Sequence, residues 1–505
     1  MLFVRKAVMK IIMHFKKYVL VLFCTIALCI VAYVLFQYPK PGVADQGDFD
    51  RVMFVSGLEL TMQNKSDPSF NRFFNYIVTD YKISNYSILR FLITIFSTSM
   101  GYLITLIGFI CKIFGQDVFK TSYLAAAYAI LYIFSIYMII KYVNLKSKAT
   151  LILLALLSLL MFFDGNYLLW FNSLYGEPMM LTTLLLYISS WLYYFHHKNL
   201  LKSKEKLFPA IVFISIAALL FLGSKLQVIT ALPAILVMHG KLLWENKKLL
   251  SYGKLKMIYV LLFILIFYPL EMNIINGIIS KDTQYNSVFY GVLKDSKHPQ
   301  QDLIDMGLNP DLAVEAGKHS YLDKNEYVKY LPRTGITEKE FYSKVSNGKL
   351  IKFYLTHPAR LIQGMEYTAG HAFFTGTSLG KYERSYSEDP IIAFNKFTFW
   401  SSLRERLFPK KLFFIVFTAL IIFAVSIITY IRNKNSQEVK DKIYLLWMIM
   451  FIGLIQFPMP YLGNGQADTM KQLYLFNFVF DILIFVSICW CFDRFIKLLF
   501  LKDYK

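Results

Sequence analysis

Apolar runs of about twenty residues, separated by short polar stretches, recur from one end of this 505-residue chain to the other. A helix rising about 1.5 Å per residue needs roughly 20 such residues to cross the hydrocarbon of a bilayer. The runs therefore predict ten membrane-spanning helices, at 18–36, 121–140, 149–163, 178–195, 207–223, 226–243, 257–275, 411–430, 443–457 and 473–492. Between them lie two long segments, 37–120 and 276–410, each holding shorter apolar stretches. The pattern gives an all-α polytopic membrane protein: an anchor helix in 1–36, a first long loop, helices two to seven in 121–275, a second long loop, and helices eight to ten with a tail in 411–505.

An eleventh apolar run, 91–114, is long enough to span, and charge decides against it. With ten spans and a cytoplasmic N-terminus, the basic segments 5–17, 141–148, 196–206, 241–256, 432–442 and 494–505 all fall on the cytoplasmic side, as the positive-inside rule expects. An extra span would turn every later cluster outward. The run 91–114 is accordingly read as a helix at the outer interface, its apolar surface broken by Ser97, Thr98, Ser99 and Gly101. The first span lacks a small-x-small cleavage site before Gln37, so it is read as an anchor and not as a removable signal.

Hydrophobic residues make up 56% of the chain, and the formal net charge is +21. On a soluble protein such a charge would point to nucleic acid. Here the cations flank apolar runs, where they meet anionic lipid headgroups, and nucleic-acid binding is excluded as the reading. The five cysteines all lie in apolar segments, where a thiol acts as a small hydrophobe, so neither a disulfide framework nor a cysteine metal site is predicted.

The long loops carry the candidate chemistry. Just past the first span stands Asp45-Gln46-Gly47-Asp48-Phe49-Asp50-Arg51. Three close carboxylates raise one another's pKa while Arg51 lowers it, so the set is tunable for general-base work. Gly47 permits the tight turn that would aim Asp48. The plainer alternative is that Asp48 or Asp50 caps a helix running on to Leu60. A second acid, Glu177, stands where the fourth span begins, in Asn172-Ser173-Leu174-Tyr175-Gly176-Glu177-Pro178. It either complements the helix dipole or helps position substrate.

Cations at the same level come from two places. Lys225, in the short turn Gly223-Ser224-Lys225-Leu226-Gln227, either snorkels to lipid headgroups or holds a phosphate, with Gln227 as a further donor. Lys471, in Asp468-Thr469-Met470-Lys471, either pairs with Asp468 one helical turn away or meets a lipid phosphate. Asp481 lies deeper, inside an apolar run, where acids are functional or paired. His298, His319, His357 and His371 lack metal-ligand spacing, so no metal site is predicted, and Arg360 after His357-Pro358 is a further possible phosphate contact.

An acidic first outer loop followed by an interfacial helix resembles the layout of the GT-C superfamily of integral-membrane glycosyltransferases. Gly47-Asp48-Phe49-Asp50-Arg51-Val52-Met53, Asn172 to Pro178, Phe289-Tyr290-Gly291-Val292-Leu293 with Gly307-Leu308, and Asp468-Thr469-Met470-Lys471-Gln472 are similar to motifs of WsfD-type glycan-biosynthesis hexose transferases. The resemblance implies an inverting transfer of a hexose from a polyprenyl-phosphate sugar, such as an undecaprenyl one, to a cell-surface glycan or wall polymer at the outer face. It implies a base in the first outer loop: Asp48 foremost, then Asp50 and Asp45. Arg51, Glu177, Lys225, Gln227, Asp468 and Lys471 would bind substrate. No cofactor is required by such a step; a divalent cation is compatible with it but not indicated.

Two other classes compete. A lipid-linked glycan polymerase or ligase would rest on Arg333, Arg360, Arg384 and His371 in the second loop, and a transporter would gather its polar residues near the bilayer midplane.

Overall fold

The computed structural model describes residues 2–61, 73–85, 87–145, 147–277 and 281–500; the terminal Lys502 and Lys505 and parts of both long loops lie outside the described residues. Every one of the ten predicted positions is helical. Among the described residues, eight helices have the length and apolarity to cross a membrane: His14–Phe36, Thr121–Tyr142, Lys204–Leu222, Leu226–Asn246, Tyr252–Ile274, Leu412–Arg432, Gln437–Asn464 and Tyr474–Leu499.

A ninth is bent by 56° between Lys148–Phe162 and Gly165–Asn172. The bend has a local cause. Asp164 turns back to cap the second half, accepting from the Asn166 N–H, and its other oxygen accepts the Ser401 N–H at 3.0 Å. A Cβ at Gly165 would lie 1.9 Å from the Lys396 carbonyl oxygen, so only glycine lets that loop close on the bend.

The remaining helix, Glu177–Phe195, is buried along nearly its whole length. Its hydroxyls lower its apolarity, but Thr183, Ser189 and Ser190 return theirs to backbone carbonyls three or four residues earlier. A helix enclosed on all sides needs no apolar exterior of its own. It is packed between Thr121–Tyr142 and Lys204–Leu222, and it carries Glu177 to the site end of the bundle.

The run 91–114 does not form one span. It divides into Ile88–Ile95 and Ser99–Ile113, broken where Ser97 bonds back to the Thr94 carbonyl. The longer piece, at 15 residues, reaches about 22 Å, short of a hydrocarbon core of about 30 Å. Its start is pinned to the end of Lys204–Leu222: the Ser99 N–H donates to Gly223 O and its hydroxyl to Leu220 O.

The first long loop also holds a small antiparallel sheet, Leu58–Leu60 beside Asp80–Ile83 beside Val118–Lys120. This sheet is an addition to the all-α pattern. The strands are three or four residues long, too short for alternation to register, yet Leu58, Tyr81, Ile83 and Phe119 all point into the core.

The second long loop folds as short helices around its own core of Tyr285, Phe289, Leu303, Leu312, Phe341 and Phe353, joined by Tyr461 from beyond the ninth predicted span. Within it, Glu338–Tyr342 and Asn347–Thr356 are separate helical pieces, the second capped by Ser346.

Asp481 finds its partner inside the protein. Arg404 reaches it at 2.6 Å, both side chains fully buried, and Tyr167 donates its hydroxyl to the same oxygen. Arg404 spends its other donors on Phe373 O and Thr375 Oγ1. The pair ties Phe399–Leu407 to the last span, while Asp481 Oδ1 is buried without a hydrogen-bond partner among the described residues.

Candidate active site

The acidic run is held before it is functional. The backbone of 42–45 lies between two other segments: Gly42 and Ala44 donate to Lys381 O and Gly380 O, and Phe74 donates to Asp45 O. From below, Asn172 donates to Leu35 O and Pro41 O, and the Tyr175 hydroxyl to Ala44 O at 2.9 Å. The motif at the head of the fourth predicted span thus builds the floor of the first loop.

The three aspartates have different fates. Asp45 is buried, and its Oδ1 accepts the N–H groups of Gly47, Asp48 and Phe49 at 2.7, 3.0 and 3.2 Å. It is the residue that satisfies the start of helix Phe49–Ser56. Gly47, at φ 106°, makes the turn this requires. Asp48 occupies the N-cap position but makes no cap bond, so its carboxylate is left for long-range partners. Asp50, in the first helical turn, is exposed.

Asp48 meets Lys471 at 2.6 Å and lies 3.9 Å from Arg51. Lys471 also contacts Gln46 Oε1 at 3.4 Å and sits 4.4 Å from the centre of the Tyr175 ring. Gln46 donates to Asp468 Oδ1 at 2.6 Å. Asp468 and Lys471, one helical turn apart, therefore diverge to separate partners in the first loop. A second pair lies nearby: Glu177 Oε1 accepts from Lys225 at 2.6 Å, while Glu177 Oε2 is buried without a hydrogen-bond partner among the described residues.

Charge binds the two pairs into one site. Burial raises the Asp48 carboxyl, but Lys471 above all, with Lys225 and Arg51, brings it down to about 2. Burial lowers the Lys471 ammonium, and Asp48, Glu177 and Asp468 more than reverse that, leaving it above its ordinary value. Acid and base thus hold each other ionised.

Beside this network opens a cleft of about 270 Å³ lined by Gln46, Asp468, Lys471, Tyr367, His371 and Thr377 among others. Its walls are amide, hydroxyl, carboxylate, ammonium and ring, groups that suit a polyhydroxylated ligand next to a phosphate. Among the described residues no group of three or more His, Cys, Asp or Glu is placed to hold a metal ion.

Not every predicted residue joins. Gln227 spends its amide on Gln456 Oε1 and Gln472 O, bracing helices. Arg360 binds Asp302 at 3.0 Å and the Val292 carbonyl, bracing the second loop. Arg333 pairs with Asp282. Sequence reasoning passed over Gln46 and Tyr175, although both stand inside the motifs it quoted. An amide between two carboxylates and a tyrosine two residues before a glutamate were the available signals.

The chain matches the family described as the YfdI N-terminal transmembrane domain over residues 6–505. Comparison with the curated proteins and with the solved structures gives no match.

Proposed function

This chain belongs to the YfdI N-terminal transmembrane domain family, and from that premise we propose that it is an inverting glycosyltransferase moving a hexose from a polyprenyl-phosphate donor to a surface glycan. The family's association with glycosyltransferase-like function in membranes supports the class. The motif likeness to WsfD-type hexose transferases supports the sugar, and the distribution of basic loops supports an outer-face site with both termini cytoplasmic.

The observation that carries the reading is the Asp48–Lys471 pair, with Glu177–Lys225 beside it. In the reaction the acceptor hydroxyl oxygen attacks C1 of the sugar from the face opposite the phosphate. The C1–O bond to phosphate breaks, its electron pair leaves with the polyprenyl phosphate, and the hydroxyl proton passes to Asp48. The phosphate gains negative charge as the bond breaks, so cations fixed beside it favour the transition state over the ground state.

The ion pair explains how one carboxylate can be both stable and reactive. At about 2, the Asp48 carboxylate is fully ionised but a weak base. A donor phosphate competes for Lys471. Once the ammonium turns to the phosphate, Asp48 loses its nearest cation and becomes more basic only when substrate is bound. Asp45 holds the turn that presents Asp48, and Gln46 and Asp468 fix the loop against the last span.

The test is transfer of radiolabelled hexose from polyprenyl-phosphate hexose to extracted surface glycan by purified protein, with and without EDTA. Wild type transfers and Asp48→Asn, equally folded, does not. Transfer that survives in Asp48→Asn removes Asp48 as the base, and absence of transfer from every hexose donor by wild type removes the proposal.

A further inference from the structure

A transferase needs two substrates to meet at one carboxylate, and the molecule carries a second cleft. It measures about 340 Å³ and is lined entirely by residues between 282 and 334 of the second long loop, among them Asp282, Tyr321, Lys324, Tyr327 and Arg333. No residue of a membrane span contributes to it. The cleft beside Lys471, by contrast, lies against the loop that leads into the last span.

Tyr321 connects the second cleft to the reaction site. The residue is 57% exposed. Partial desolvation and the charges of Asp468, Asp282 and Asp48 push its hydroxyl up to about 12, so one side chain feels both the cleft wall and the proposed base. Its backbone N–H donates to His319, and the His319 ring rests 5.1 Å from Tyr290, whose carbonyl accepts from Gln466 beside Asp468.

The rest of the cleft is held in shape. Arg333 has a left-handed backbone, φ 61°, in a turn tied at Leu331 O by the hydroxyls of Thr334 and Thr337. That turn presents the guanidinium to Asp282. An exposed aromatic face beside a linked carboxylate and guanidinium complements a pyranose, whose C–H face stacks on the ring and whose neighbouring hydroxyls bond the charged pair.

Resting on the transferase reading, we infer that this cleft is the acceptor subsite, taking a water-borne oligosaccharide with a sugar ring stacked on Tyr321 and hydroxyls on Asp282 and Arg333. The lipid-linked donor takes the other cleft, against the spans.

The experiment uses full-length protein in nanodiscs and, as probe, oligosaccharides released from the host's surface glycan. Saturation-transfer NMR shows binding to wild type, weakened on the order of tenfold in Tyr321→Ala, the worth of one ring contact, and restored in Tyr321→Phe. Arg333→Gln weakens it as well. In the transfer assay Tyr321→Ala raises the acceptor KM by the same factor while the donor KM holds. Wild-type transfer with an acceptor KM unmoved by both variants overturns the subsite and leaves the transferase standing. Tyr321-dependent binding without transfer from any donor upholds a saccharide site and overturns the transferase.

Discussion

Replacing Lys471 with methionine tests the site most directly, because it removes the nearest cation and keeps a side chain of similar length. Asp48 titrates at about 2 against an ordinary 3.8. At about 1.4 kcal/mol per tenfold change in acidity, that gap is about 2.5 kcal/mol. The side chain is 44% exposed, and solvent screening reduces the effective value to about 1 kcal/mol. The sign follows from the direction of the shift. A carboxyl depressed in the folded state adds stability above 3.8, and that contribution fades as pH falls toward 2.

Without Lys471, burial is opposed only by Lys225 and Arg51, and Asp48 titrates at or above its ordinary value. In wild type, kcat/KM, which reports the free enzyme, stays flat on the acid side down to about pH 4. In Lys471→Met it begins to fall near pH 5, roughly one pH higher by the screened figure. In wild type the acid limb of kcat lies above that of kcat/KM, since bound phosphate draws Lys471 away. In the variant the two limbs coincide, and kcat at pH 7 drops about 10²-fold for the lost phosphate contact. Stopped hexose-transfer assays across pH 4 to 8 measure all three. Superimposable profiles with unchanged kcat would refute the coupling between Lys471 and Asp48.

Three further outcomes follow from named contacts. Asp45→Asn keeps the cap and most of the transfer, whereas Asp45→Ala loses about 1 kcal/mol of stability by thermal denaturation in detergent; equal loss of transfer with Asn and Ala would make Asp45 more than a cap. Lys225→Met leaves Glu177 buried without its cation and costs about 3 kcal/mol, most of it recovered in the Lys225→Met, Glu177→Gln double variant; no recovery would mean the two do not act as a pair. Arg404→Leu costs about 3 to 5 kcal/mol by stranding Asp481, and the folded fraction keeps its transfer rate; a lost rate at full folding would return Asp481 to the site.

Helix positions were legible because hydrocarbon thickness imposes a length on apolar runs, and all ten positions are helical. The run 91–114 reads as a single interfacial helix, and it divides at its polar stretch, where Ser97 bonds back to Thr94 O and Ser99 reaches Leu220 O. What periodicity could not reach was pairing across distance. The partner of Asp481 is an arginine 77 residues away, in a segment that reads as an ordinary amphipathic turn. The i, i+3 spacing of Asp468 and Lys471 pointed to each other, yet competing partners in the first loop took both. The cap was expected at Asp48 or Asp50 and went to Asp45, because a carboxylate two residues ahead of the glycine of a tight turn can accept three N–H groups at once. The strands beside the acidic loop were too short to carry a pattern.

Lys471 lies past the second long loop, while Asp48 lies just after the first span. A ribosome therefore delivers the acid more than four hundred residues before its counter-ion. Until the last helices have been inserted and have docked, the carboxylate lacks the ammonium that clamps it. On the proposed transferase reading, competence to react is then a readout of completed membrane assembly.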